Sequence, residues 1–175
     1  MLFPLRKTAE PPHLVMFDVT PPPESHFTPT AISGGSAISP DGRTLAYVAT
    51  DAKGSSLLYV RALNSLEARS LPGTENAIFP IWSPDSKSLA FGADSKLKRI
   101  DLAGGSPITL CDAPFVRGGS WSEEGVILFG ERDQGLNRIG ASGGVPVPVT
   151  KVKSAAGERN GYPHFLPGGD RKSVV

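Results

Sequence analysis

The sequence predicts an all-β fold assembled from repeats, and three observations carry that prediction. First, AISPDGRTLAYVA at 37–49 returns as PIWSPDSKSLAFGA at 80–93, with Pro40 and Pro84 44 residues apart. Second, glycine (20) and proline (17) together exceed a fifth of the 175 residues. Such a composition suits many short strands joined by tight turns and does not suit a helical protein. Third, no segment holds a helical period over about twelve residues. NSLEARSLPG comes nearest, and Pro72 and Gly73 end it. The class expected is all-β: a partial (open) β-propeller of about three to four four-stranded antiparallel blades. A β-sandwich also has short strands and turns, but it does not require a repeated anchor at fixed spacing.

The elements of one unit follow in order. Anchors fall near 39–41, 82–85, 121–124 and 165–168. Trp82 and Trp121 are 39 residues apart and Trp121 and Phe165 are 44 apart, so the period is about 42. A second register agrees: IDLAGGSPITL at 100–110 matches IGASGGVPVPVT at 139–150, and VRALNSLEARSL at 60–71 fills the same slot in the first unit. Ile78–Trp82 reads as a first strand, rich in isoleucine and aromatics. Ser-Pro-Asp-Gly then turns the chain, because proline presets φ, aspartate bonds its own backbone and glycine accepts positive φ. The second strand is TLAYVA, SLAFGA or VILFG, nearly all apolar, as a strand buried on both faces should be. The third alternates, as LLYVRAL, KLKRIDL and LNRIGA. Gly-Gly or Asn-Ser closes a hairpin, and PITL or PVPVT forms the fourth.

Residues 1–30 read as an N-terminal segment, with HLVMFDV (13–19) as a stray strand before a spacer at Pro21, Pro22 and Pro23. Residues 31–175 read as the incomplete propeller. At GGDRKSVV the pattern calls for another apolar strand of the SLAF kind and does not receive one. The expected ring is therefore open, with exposed faces and unpaired edges that invite self-association.

Composition narrows the function classes. The net charge is +1, which gives no basic footprint for nucleic acid and no acidic tail. The single cysteine, Cys111, makes no internal disulfide or CxxC motif and reads as a small buried apolar residue. No run approaches the ~18 apolar residues of a membrane helix, and the first residues make a poor signal peptide.

The chemistry expected is none: no catalytic, cofactor-binding or metal residue is assigned, and no cofactor is implied. GGSWS (118–122) is the nearest approach to a nucleophile elbow, but Ser122 stands where its last glycine belongs. Ser120 reads instead as part of a strand lead-in. Gly104 with Gly105, and Gly143 with Gly144, belong to hairpin turns and not to helix-start phosphate cradles. His13, His26 and His164 lack metal-ligand spacing, and His164 draws interest only because it precedes the Phe165 anchor. Asp41, Asp85 and Glu124 recur at one slot, where turn capping explains them better than a metal ring. SPDGRT lacks the second glycine of an Asp-box. Trp82, Trp121 and Phe165 read as packing between blades. Arg61, Lys98, Arg99 and Arg138 are expected to snorkel or face solvent.

At the level of the repeat, SPDG-x-x-LA-aromatic resembles the WD40-like propeller repeat of the TolB type. The stretch 31–170 resembles the extracytoplasmic C-terminal propeller of bacterial eukaryotic-like serine/threonine protein kinases. AISPDGRTLAYVA, LLYVRALNSLEARSLPGTENAIFPIWSPDSKSLAF, KLKRIDLAGGSPITLCDAP, RGGSWSEEGVILF and GYPHFLPGGD carry it. No kinase motif accompanies them: there is no GxGxxG loop, VAIK-like strand, HRD or DFG. The resemblance implies an interaction or sensor scaffold outside the cytoplasm. Its inter-blade loops, such as 50–56, 72–78 and 112–119, would bind a protein or a small ligand. The alternatives are the N-terminal propeller of a prolyl-oligopeptidase-like serine peptidase, and a TolB-like periplasmic envelope protein.

Overall fold

A computed structural model describes residues 18–29, 34–132, 135–150 and 161–165. Thirteen strands and no helix are present among them. The first sheet holds β1 (Ser25–Phe27), β2 (Ser36–Ile38), β3 (Thr44–Asp51), β4 (Ser56–Ala62) and β5 (Arg69–Ser70). The second holds β6 (Ile78–Trp82), β7 (Ser88–Ala93), β8 (Lys96–Asp101) and β9 (Ile108–Asp112). The third holds β10 (Val116–Trp121), β11 (Val126–Glu131), β12 (Gly135–Gly140) and β13 (Val147–Pro148). In the second and third sheets the strands lie in chain order, all antiparallel.

Each sheet is a blade. The first strands β2, β6 and β10 are spatial neighbours, so the blades stand side by side along a common inner edge. The predicted open, partial propeller is the observed fold, and the sandwich is not. Two apolar layers fill the seams. Val48, Leu58, Trp82, Leu89 and Phe91 lie between blades 1 and 2, and Phe79, Ala90, Leu97, Ile127 and Phe129 between blades 2 and 3. The middle strand of blade 2 is apolar on both faces because blades 1 and 3 cover both. Cys111 belongs to the second layer, where burial and the nearby carboxylates of Glu131 and Asp112 push its thiol up to about 11.

The Ser-Pro-Asp turn explains its own residues. In blade 1 the Ser39 hydroxyl is 2.5 Å from Asp41 Oδ1 and accepts the Thr44 N–H at 2.9 Å, while Asp41 Oδ1 accepts the Arg43 N–H at 3.0 Å. Ser83 and Asp85 repeat these bonds in blade 2 at 2.6, 2.8 and 3.1 Å. In blade 3 Ser122 accepts from Val126 at 3.3 Å. The serine is as much a part of the device as the aspartate, a role the sequence reading passed over.

Polar clasps tie each blade to the next. Trp82 Nε1–H donates to the Ala37 carbonyl at 2.9 Å. Arg69 donates to the Leu102 carbonyl at 3.2 Å, and Arg99 to the Ala141 carbonyl at 3.0 Å. Lys98 pairs with Asp94 at 2.7 Å, and Arg138 is exposed.

Arg61 departs from expectation. It is 3% exposed and neither snorkels nor faces solvent. Register explains the burial: Arg61 lies opposite Leu45, on the face of β3 and β4 that also carries Tyr47 and Tyr59. Residues 18 and 19 lie over that face. The Asp18 carbonyl accepts from Arg61 Nη2 at 2.9 Å, and Val19 packs on the Leu45–Tyr47–Ala49 cluster. After the proline spacer, β1 joins the first sheet end to end with β2, both on the free edge of β3. Residues 13–17 of HLVMFDV, His13, and the end of the chain from 166 lie outside the described residues.

Candidate binding site at the inner edge of the blades

The first strands of successive blades share a backbone feature that places side chains at their common edge. Three residues before Ile38, Trp82, Trp121 and Phe165 stand Gly35, Phe79, Gly118 and Tyr162, with φ of 79°, 51°, 68° and 59°. All four are left-handed. In blades 2 and 3 the slot lies inside a bulge, where the register shifts between Ile78 and Ile81 and between Val116 and Gly119. A bulge of this kind bends the strand and re-aims its side chains. For an aromatic residue such a φ is costly, about 1–3 kcal/mol, and such residues cluster at functional sites.

The strain is matched by fit. A Cβ built on Gly34 would meet the Phe79 ring, with Cδ1 at 2.0 Å, and one on Gly118 would lie 2.7 Å from Tyr162 Cδ1. Each aromatic therefore covers a glycine of the blade before it. Phe79 and Tyr162 meet edge to face, with ring centroids 5.7 Å apart. Around them is a cleft of about 220 Å³, lined by Gly34, Ser36, Phe79, Pro80, Gly118, Gly119, Tyr162, Pro163 and His164. The Tyr162 N–H donates to the Arg117 carbonyl at 3.1 Å, and the Phe165 N–H to Ser120 Oγ at 3.2 Å, which fixes residues 161–165 on blade 3.

The cleft is lined by the leading halves of the first strands, so it opens toward the end of the blades where the inter-blade links run. The predicted loops gather at that end. The Asn76 N–H donates to the Ser56 carbonyl at 3.0 Å, and Asn76 Nδ2 to Asp94 Oδ1 at 3.1 Å. The Lys98 and Asn76 hydrogen bonds hold the Asp94 carboxyl below its ordinary value. The Ala113 N–H donates to the Ser95 carbonyl at 2.9 Å, and Arg132 stacks over Phe115, 5.3 Å from its centroid. Phe115, in the link before β10, is 56% exposed. Links 72–78 and 112–119 thus share one end with the turns near 51–55 and 94–95. The Ser-Pro-Asp turns occupy the other end, where the Asp41 N–H reaches Ser86 Oγ at 3.1 Å.

The remaining candidates separate. His164 lines the cleft, while His26 sits in β1 opposite Thr50. Asp41 and Asp85 are each engaged by their own turns, and those bonds lower both carboxyls. Among the described residues no group of three His, Cys, Asp or Glu could hold a metal ion. Ser120 sits in β10 as a strand residue, and the two Gly-Gly pairs sit in turns with positive φ. Trp82 packs between blades, and Trp121 packs half-buried against the second apolar layer. The bulge slot was not legible beforehand, because Gly, Phe, Gly and Tyr share no side-chain property.

Comparison with known proteins agrees on the architecture. No family model and no curated protein matches the chain. Solved structures do match. TolB from Acinetobacter baumannii superposes with a TM-score of 0.59 at 19% identity, over 77% of this chain and 35% of that one. A structure described as a TolB of Agrobacterium tumefaciens gives 0.58 at 22%, over 69% and 47%. The fold is that of the TolB-type β-propellers. The propeller domain of the trilobed protease of Pyrococcus furiosus, described as having an open velcro topology, gives 0.50 at 21% over 65% and 42%. The chain spans less than half the length of each of these structures.

Proposed function

We propose that the chain is a non-catalytic binding scaffold, a portion of a TolB-like propeller that receives a protein segment or small ligand at the link end of the blades. The observation that carries this reading is the cleft of Phe79, Pro80, Tyr162, Pro163 and His164, built where two aromatic residues, Phe79 and Tyr162, hold a costly left-handed backbone. Strain of this kind persists only where the surroundings over-determine it, and rigid strands that present loops are a common way to hold a binding surface. The sequence resemblance extends the reading to a sensor module outside the cytoplasm, joined in a longer protein to a serine/threonine kinase. The peptidase-propeller reading has one observation in its favour: a prolyl endopeptidase structure superposes with a TM-score of 0.51 at 16% identity.

The test has two parts. In NMR titrations of the full chain with a panel of short peptides, shifts are expected at Phe79, Phe115, Tyr162 and His164. Shifts confined to the Ser-Pro-Asp turns would contradict the assignment of the binding end. Fluorogenic prolyl peptides, and ATP with an acceptor protein, are expected to show no turnover, and turnover by the pure chain would contradict the non-catalytic reading. The flanking coding sequence separates the two parent proteins. A kinase and a membrane segment upstream support the first, and a GxSxG-bearing hydrolase downstream supports the second.

A further inference from the structure

The outer face of blade 1 carries an unusual set of groups for a face that has no blade against it among the described residues. Tyr47 is 1% exposed and Arg61 3%. The Tyr47 hydroxyl and Arg61 Nε are both buried without a hydrogen-bond partner. Arg61 has one described acceptor, the Asp18 carbonyl, and none of the described ion pairs includes it. A buried guanidinium without a counter-charge is costly, and so is a buried hydroxyl without a partner. Burial pushes the Tyr47 hydroxyl above its ordinary value, and the charge of Arg61 offsets part of that rise.

Beside these groups lies a mostly apolar cleft of about 340 Å³, with Val19, Phe27, Leu45, Tyr47 and Val48 among its walls. Its size falls at the lower end of small-ligand pockets. Val19 is both a wall and the residue after Asp18, and Leu45 is both a wall and the cross-strand partner of Arg61. Arg61 is not itself a wall of the cleft; it adjoins it through its cross-strand partner Leu45 and its acceptor Asp18. Phe27, another wall, is 42% exposed and packs edge to face on Tyr47 at 5.3 Å.

We infer that this cleft is a binding site for an amphipathic monocarboxylate, its apolar chain between Phe27, Leu45 and Tyr47 and its carboxylate on Arg61 and the Tyr47 hydroxyl. The Asp18 carbonyl is then a placeholder that the carboxylate replaces. An anion supplies what a neutral carbonyl does not, a matched charge and acceptors for both the guanidinium and the phenol. A phosphate would match the charge, but the planar two-oxygen group suits the edge formed by Nε and a terminal nitrogen. The site is separate from the cleft between Phe79 and Tyr162 and does not depend on it.

The probe is decanoate, titrated into the full chain at neutral pH below its micelle concentration and followed by calorimetry and NMR. Saturable binding at a single site is expected, with shifts at Phe27, Leu45 and Tyr47. Decanol, which has the same chain without the charge, is expected to bind at least about tenfold more weakly, and acetate not measurably. Tyr47→Phe is expected to weaken decanoate binding about three- to tenfold. Arg61→Met is expected to abolish it. The decanol comparison and Tyr47→Phe decide the matter even if Arg61→Met does not fold. Absence of saturable decanoate binding, equal affinity for decanol, or an unchanged affinity in Tyr47→Phe would each overturn the inference.

Discussion

The seam between blades 2 and 3 and the outer face of blade 1 grow from the same strand pattern, yet they are finished differently. The seam is filled on both sides, by Ala90 and Leu97 from one blade and Ile127 and Phe129 from the next, all fully buried. Its arginine, Arg99, also leaves Nε unpartnered, but its charge is matched by Asp101 at 3.2 Å and a second nitrogen holds the Ala141 carbonyl. On the outer face of blade 1, Val19 and Phe27 stand in place of a neighbouring sheet, and Arg61 and Tyr47 keep unpartnered atoms. A repeat buries its face only against a neighbour. Where the described residues place no blade, a cleft and unpaired polar groups remain, and a ligand can use them.

Substitutions that break this contrast rank by size. Phe129→Ala empties the seam and is expected to cost about 3–5 kcal/mol, read as loss of cooperative unfolding in urea. Gly118→Ala comes next. It forces a side chain onto φ of 68° and against Tyr162, and about 1–3 kcal/mol is expected. Gly125→Ala tests the backbone part alone, because its φ of 76° is similar and nothing lies within 4 Å of a built Cβ; the smaller of the two losses is expected there, and the difference is the packing part. Trp82→Phe removes the bond to the Ala37 carbonyl and is expected to cost about 1 kcal/mol. Tyr47→Phe should do the reverse on the outer face. Removing a buried hydroxyl that has no partner is expected to leave stability unchanged or raise it by up to about 1 kcal/mol in the ligand-free chain. A clear loss in that variant would mean the outer face is satisfied like the seam.

The smallest effect is acid dependence. Asp41 and Asp85 are depressed by their serine and backbone bonds, so their contribution is present above the ordinary carboxylate value of 3.8 and is lost as pH falls through the lowered folded value. Glu131 is raised by burial, so its contribution is present below 4.5 and lost as pH rises through its folded value. Asp85→Asn should flatten the acid limb of stability against pH, while Glu131→Gln should raise stability near neutrality. Denaturant midpoints across pH 2–7 check both.

Much of the architecture was legible because turn chemistry is written in residue types. Ser39, Pro40 and Asp41 announce a turn, and the apolar runs after them announce the middle strands. Ile78–Trp82 forms the strand that its composition foretold. The binding features were harder to see, for physical reasons. The left-handed slot tolerates glycine by freedom and phenylalanine or tyrosine by packing, so its four occupants share no pattern. Arg61 looks like a surface residue until the register sets it beside Tyr47 and Leu45. Ser25–Phe27 carries no strand signal of its own and pairs only because the edge of β3 is open.

The central claim is that the blades stand side by side about a common inner edge, and backbone NOEs test it most directly. The account predicts cross-strand contacts at the pairs Ile81–Ala90 and Ser120–Leu128, together with contacts between β2 and β6 and between β6 and β10. Contacts from β3 to β11, with none among β2, β6 and β10, would describe two stacked layers and contradict it.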